Sequence, residues 1–138
     1  MALKTPTAFN SFLWYNIAAV DSGYYIGYRS VFDKKNTLTP FTYYPNDKQL
    51  LENQDSLVNV KQLLQFANND YTVEKVRNVV IFNIPRFGQT LGWQDAKAGF
   101  TFQYYLSSSY DNTLVVQRGR FIGWNKKTFL NLYRRIKG

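Results

Sequence analysis

The segment Gly99–Gly138, GFTFQYYLSSSYDNTLVVQRGRFIGWNKKTFLNLYRRIKG, carries the cleanest periodicities in the chain and sets how the rest is read. Phe100, Phe102, Tyr104 and Leu106 alternate with Thr101, Gln103, Tyr105 and Ser107. That period of two predicts a strand from Phe100 to Leu106. Ser107 to Asn112 supplies turn residues, with Asp111-Asn112 the strongest of them. Leu114, Val116, Arg118, Arg120 and Ile122 alternate in turn with Val115, Gln117, Gly119 and Phe121, so the two runs are expected to pair as an antiparallel hairpin.

Four signals then converge on a closing basic amphipathic helix. Asn125 is a good N-cap. Trp124 and Phe129 flank it at the spacing of a hydrophobic staple. Phe129, Leu132, Tyr133 and Ile136 follow the i, i+3, i+4, i+7 rule, a stripe that would dock inward or onto a neighbour. Arg134, Arg135 and Lys137 occupy the last turn, where cations meet the negative helix end.

Working back, Val79–Phe82 is a continuous apolar run followed by Ile84-Pro85, expected to be a central strand buried on both faces. Arg86 to Ala98 is the longest irregular stretch and includes Gly88, Gly92 and Trp93; a long loop in a compact domain usually makes contacts. Within Asn46–Asn69, Leu57, Val60, Leu64 and Ala67 mark one face of a helix. Phe41–Tyr44 reads as a short extended piece, and Tyr24 to Phe32 alternates as a half-buried strand. At the start, Thr5-Pro6 is a helix-entry signal, and Phe9, Leu13, Ile17 and Val20 keep helical spacing. A strand is the competing reading there, because Phe, Trp and Tyr favour strands. The sum is an α+β fold in one domain, residues 1–138. It would have an antiparallel or mixed sheet of about four to six strands, one or two packed helices and the C-terminal helix.

Composition narrows the chemistry. The 138 residues contain no Cys and no His, so thiolates, disulfides and imidazole bases are excluded. No catalytic set, cofactor motif or metal-ligand spacing can be assembled, and no signal peptide or transmembrane segment is visible. The chain is expected to be non-enzymatic and free of cofactors. Eleven Phe, eleven Tyr and three Trp make it rich in rings. The net charge is +8, unevenly placed. All nine acids lie at or before Asp111, alongside ten basic residues. The remaining seven basic residues (Arg118, Arg120, Lys126, Lys127, Arg134, Arg135 and Lys137) stand beyond it with no acid among them. Such asymmetry points to an anionic partner: nucleic acid, a membrane surface or an acidic protein.

Lys126 and Lys127 are the most pointed of these. They sit in the first turn of the predicted helix, where positive charge opposes the macrodipole, and could hold an anion at the helix start. Arg118 and Arg120 share a strand face, and Tyr104, Tyr105, Trp93 and Trp124 are candidates for stacking or interface contacts. The expected role is a structural subunit of a larger assembly, either a homo- or a hetero-oligomer. The small, basic, cysteine-free composition suggests a minor virion protein of phage capsid or head–tail joining type, located in the virion or the cytoplasm. The alternative is a single-stranded nucleic-acid-binding protein using these cations and tyrosines.

Overall fold

The computed structural model describes residues 2–7, 9–35, 40–52, 58–106 and 123–138. The fold is α+β, with two antiparallel sheets and two helices. Strands β1 (Ala2–Pro6), β2 (Leu13–Val20), β3 (Gly23–Ser30) and β4 (Phe41–Pro45) form the first sheet in sequential order. Strands β5 (Thr72–Val76), β6 (Val79–Asn83) and β7 (Gln103–Leu106) form the second. Helix α1 (Val58–Ala67) precedes β5, and α2 (Lys126–Lys137) ends the chain. The single sheet expected from sequence is therefore replaced by two. The hairpin partner expected at Leu114–Ile122 lies outside the described residues, as does the turn at Ser107–Asn112.

The N-terminal segment is β, not the favoured helix. Leu13, Tyr15 and Ile17 are buried while Trp14, Asn16 and Ala18 are half-exposed, a period of two that overrides the period-four match of Phe9, Leu13 and Ile17. β2 is paired on both sides, Tyr15 with Thr5 of β1 and with Tyr28 of β3, and strand pairing decides what local spacing left open. Pro6 ends the edge strand β1, where a missing N–H is tolerated. Between β1 and β2 the chain turns through Phe9, held at φ 65°. The Asn10 side chain stabilises this turn by accepting from the N–H groups of Phe12 (2.9 Å) and Leu13 (2.7 Å).

In the second sheet, Arg77 and Asn78 both have positive φ (49° and 65°), as a two-residue hairpin turn of the primed type requires. This turn pairs Val76 with Val79 and creates β5, a strand the sequence reading did not anticipate. β6 is central, as expected, but its second face is sealed only at Asn83: Val80 and Phe82 are buried on one face, whereas on the other Val79 is exposed and Ile81 half-buried. The regular part of β7 begins only at Gln103, although Phe100 is bridged to Gln89.

Val60, Leu63 and Ala67 of α1 pack on Tyr71, Val73, Val80, Phe82 and Ile84 in one core cluster. Asn68 and Asn69 stop the helix in the left-handed region (φ 51° and 65°). A second cluster gathers Tyr15, Ile17, Tyr24, Ile26 and Phe100 beneath the first sheet. The sheets meet where the Asp47 N–H donates to the Val73 carbonyl (2.9 Å) and the buried Tyr15 hydroxyl donates to the Pro85 carbonyl (2.8 Å).

Candidate functional site

The surface that concentrates rings and cations is built around the start of α2. Gly123 takes φ 83°, a conformation that favours glycine, and turns the chain into the helix. Asn125 caps it: its side chain accepts from the Thr128 N–H at 3.0 Å. Trp124 and Phe129 meet with ring centroids 4.9 Å apart, the expected staple. Phe9 joins both, 5.1 Å from Trp124 in an edge-on arrangement and 5.5 Å from Phe129. A phenylalanine at positive φ is uncommon, and here the turn it occupies delivers its ring to this cluster.

Behind the cluster lies a cleft of about 480 Å³ between β1, β2, β3 and the loop after β6. Phe9, Trp93, Trp124, Phe87 and Arg86 line it, above a floor formed by Tyr15 and Tyr28. The floor is rigidly bonded. The Tyr28 hydroxyl donates to Gln89 Oε1 (3.0 Å), and Gln89 Nε2 donates to the Tyr44 hydroxyl (2.7 Å) and the Ala98 carbonyl (3.0 Å). Burial pushes the Tyr15 and Tyr28 hydroxyls well above the ordinary tyrosine range, so both are neutral donors at any physiological pH. Arg86 stacks over Phe87, 4.8 Å from the ring centroid, and donates to the Phe66 carbonyl. The chemistry available here is ring stacking and hydrogen-bond donation. Among the described residues, no group of three or more acidic side chains is placed to hold a metal ion.

The docked face of α2 differs from the expected stripe. Thr128 and Leu132 are buried and Ile136 is half-buried, whereas Phe129 and Tyr133 are 47% and 57% exposed. Arg135 takes the inward place, paired with Asp33 and donating to the Tyr28 carbonyl at 3.0 Å. Its charge is met within the protein. Lys126, Lys127 and Arg134 are exposed, and the Lys137 ammonium stands 4.8 Å over the Tyr133 ring. Trp93 and Trp124 come together, 6.2 Å apart. Tyr104 is buried in the α1 core, and Tyr105 is half-buried with its hydroxyl donating to Gln103 Oε1 (3.1 Å). Arg118 and Arg120 lie outside the described residues.

Sequence reasoning missed Phe9, Phe12 and Phe32. Helical spacing places Phe9 in a stripe, and alternation places Phe32 at a strand end. All three are exposed, and the Phe12 and Phe32 rings meet at a tilt with centroids 5.6 Å apart. The signal that could have found them is Asn10, an Asx-turn residue between two phenylalanines.

Comparison of the chain with family models, curated proteins and solved structures found no match. No described helix is long and apolar enough to cross a membrane.

Proposed function

We propose that the protein is a non-enzymatic structural subunit that docks other subunits of a larger assembly through the aromatic surface at α2. The observation that carries this reading is the exposure of Phe9 (61%) and Phe129, whose rings meet each other and Trp124, with exposed Tyr133 one turn further along the same helix. Phe12 and Phe32 add to it along the neighbouring turns. Scattered surface phenylalanines need no explanation, but a cluster of this kind on a helix whose other face is already docked is the usual mark of an interaction surface. Aromatic centres and polar rims are the anatomy of protein interfaces. Here Lys126, Lys127, Arg134 and Lys137 stand exposed on the same helix. The rim therefore suits an acidic neighbour or packaged nucleic acid. The assembly we have in mind is a virion, with this chain as a minor capsid or head–tail joining component. The small, basic, cysteine-free composition supports that choice.

Light scattering on the purified protein, and the native mass of the particle it co-purifies with, test this. A defined oligomer or stable partner complex is expected, dissociating in the Phe129→Ser/Tyr133→Ser variant. A monodisperse monomer at high concentration, with no partner on pull-down, would remove the proposal. The second reading is single-stranded nucleic-acid binding through the tail cations. Lys126 and Lys127 favour it, since no acid offsets them in the first turn of α2.

A further inference from the structure

The face of β1–β4 turned away from Tyr15, Ile17, Tyr24 and Ile26 has a chemistry of its own. The strand register lays three rows across it. Ala18, Tyr25 and Tyr43 form one; Lys4, Asn16, Gly27 and Phe41 the next; Pro6, Trp14 and Arg29 the third. Successive rows stand about 7 Å apart, two residues along a strand. Tyr25, Tyr43 and Phe41 are exposed, and the Tyr25 and Tyr43 rings adjoin with centroids 5.1 Å apart. Gly27 lets the Phe41 ring approach the backbone closely, since a Cβ there would stand 3.0 Å from that ring. Trp14 and Arg29 are directly opposed across β2 and β3.

Among the described residues, cations outnumber acids on this face. Lys4 and Arg29 stand on it, and Lys35 borders the same shallow depression of about 300 Å³. Asp33 also reaches that depression, but its carboxylate is engaged by Arg135. Asp21 lies in the turn beyond Val20, past the Tyr25–Tyr43 row.

We propose that this face binds single-stranded nucleic acid, with bases stacking on Tyr25, Tyr43 and Phe41 and phosphates meeting Lys4, Arg29 and Lys35. The site goes beyond the assembly role and differs from the tail. Exposed flat rings can take unstacked bases but cannot reach bases inside a duplex, which selects single strands. Three cations complement a phosphate backbone, and Asp33, the acid that reaches them among the described residues, is paired with Arg135. Stacking on rings without base-edge contacts makes the binding sequence-tolerant.

The test is fluorescence anisotropy of a labelled fifteen-residue oligothymidylate with the full chain. Binding is expected at 50 mM salt, weakened about 20-fold at 200 mM, the fall for about three phosphates met by protein cations. The Tyr25→Ala/Tyr43→Ala variant should bind at least about tenfold more weakly. Lys4→Gln/Arg29→Gln should weaken binding and flatten the salt dependence, whereas the charge-matched Lys75→Gln/Arg77→Gln control should not. Circular dichroism verifies that each variant is folded. No binding with the protein at about 100 µM, the lenient end of nonspecific affinities, overturns the proposal. So does a tyrosine variant that binds like the parent, because that leaves only polyanion attraction. If Lys126→Gln/Lys127→Gln abolishes binding while the sheet variants do not, the tail is the site and the sheet face is excluded. If a pulled-down protein partner covers the face and the oligonucleotide cannot displace it, the face is a protein interface and the proposal fails.

Discussion

Arg135 reaches back 102 residues to Asp33 and grips both carboxylate oxygens, with Nη1–Oδ1 at 2.9 Å and Nη2–Oδ2 at 3.1 Å. The same guanidinium donates to the Tyr28 carbonyl, and the Ser30 hydroxyl donates to the Ile136 carbonyl nearby. The last turn of α2 is thus latched to the end of β3, which holds Phe129 and Tyr133 outward on a fixed helix. Planar two-pronged pairing of this kind is specific to arginine.

The latch predicts a stability effect with a defined pH dependence. Arg135→Ala should cost about 1–2 kcal/mol, more than an ordinary surface pair, because two charge-assisted bonds and the bond to the Tyr28 carbonyl are lost together. Arg135→Lys should recover only part of it. Burial acts to raise the Asp33 carboxyl, but hydrogen bonds from Arg135 and the Ser30 N–H outweigh it and hold the group below its ordinary value of 3.8. A lowered folded-state pKa means the contribution is complete above that ordinary value and is lost as pH falls through the folded one. Denaturant midpoints measured from pH 6 down to about pH 2 should show this acid loss in the parent and its absence in Asp33→Asn.

Alkaline behaviour should be governed by the buried tyrosines. Burial, then the neighbouring Asp70 carboxylate, pushes Tyr24 up to about 12. Its folded-state pKa lies above the unfolded value of 10.0, so its contribution is intact below pH 10 and fades as pH rises towards 12. Tyrosinate absorbance should therefore develop late and together with unfolding, and Tyr24→Phe should lessen the loss of stability over that interval.

A buried polar chain ties the second sheet together. Asn83 Nδ2 donates to Thr72 Oγ1 at 3.1 Å, and Gln103 Nε2 donates to Asn83 Oδ1 at 3.0 Å, linking β5, β6 and β7. Asn83→Ala strands both partners in a dry site and should cost about 2–3 kcal/mol, read as a lower urea midpoint at unchanged slope.

Gly92 carries the floor of the aromatic cleft. A Cβ there would lie 2.2 Å from Gln89 Oε1 and 2.3 Å from the Tyr28 hydroxyl, the two atoms that bond to each other. Gly92→Ala should cost about 1–3 kcal/mol as the pair is forced apart. Adding Gln89→Ala should cost less than the sum of the two single changes, because the clash and the bond share an atom; a double-mutant cycle by thermal denaturation measures this.

Features that depend on neighbours along the chain were legible in advance. The α2 cap at Asn125 and the Trp124–Phe129 staple are set by residues within one turn of each other, and both stand as expected. The alternation in β3, the apolar run of β6 and the helix ending at Asn68 are local in the same sense. Reading failed where two periods fitted one stretch. Leu13–Val20 satisfies helical spacing, yet becomes a strand because β1 and β3 pair with both its edges. It failed also at Arg77-Asn78, where two non-glycine residues at positive φ make a hairpin the sequence does not advertise.

The candidate surfaces divide along the same line. Sequence by itself determined the α+β class, the absence of thiol and imidazole chemistry and the excess of cations after Asp111, because these follow from residue identity and short-range order. Only the tertiary structure decided which rings and cations face outward. It turned Arg135 in towards Asp33, buried Tyr104 against α1, lifted Phe9 onto Trp124 and set Tyr25 beside Tyr43 on an open sheet face. Each of those outcomes depends on strand register and on contacts made across many residues. Both are settled by which apolar groups leave water together, a choice no local pattern records.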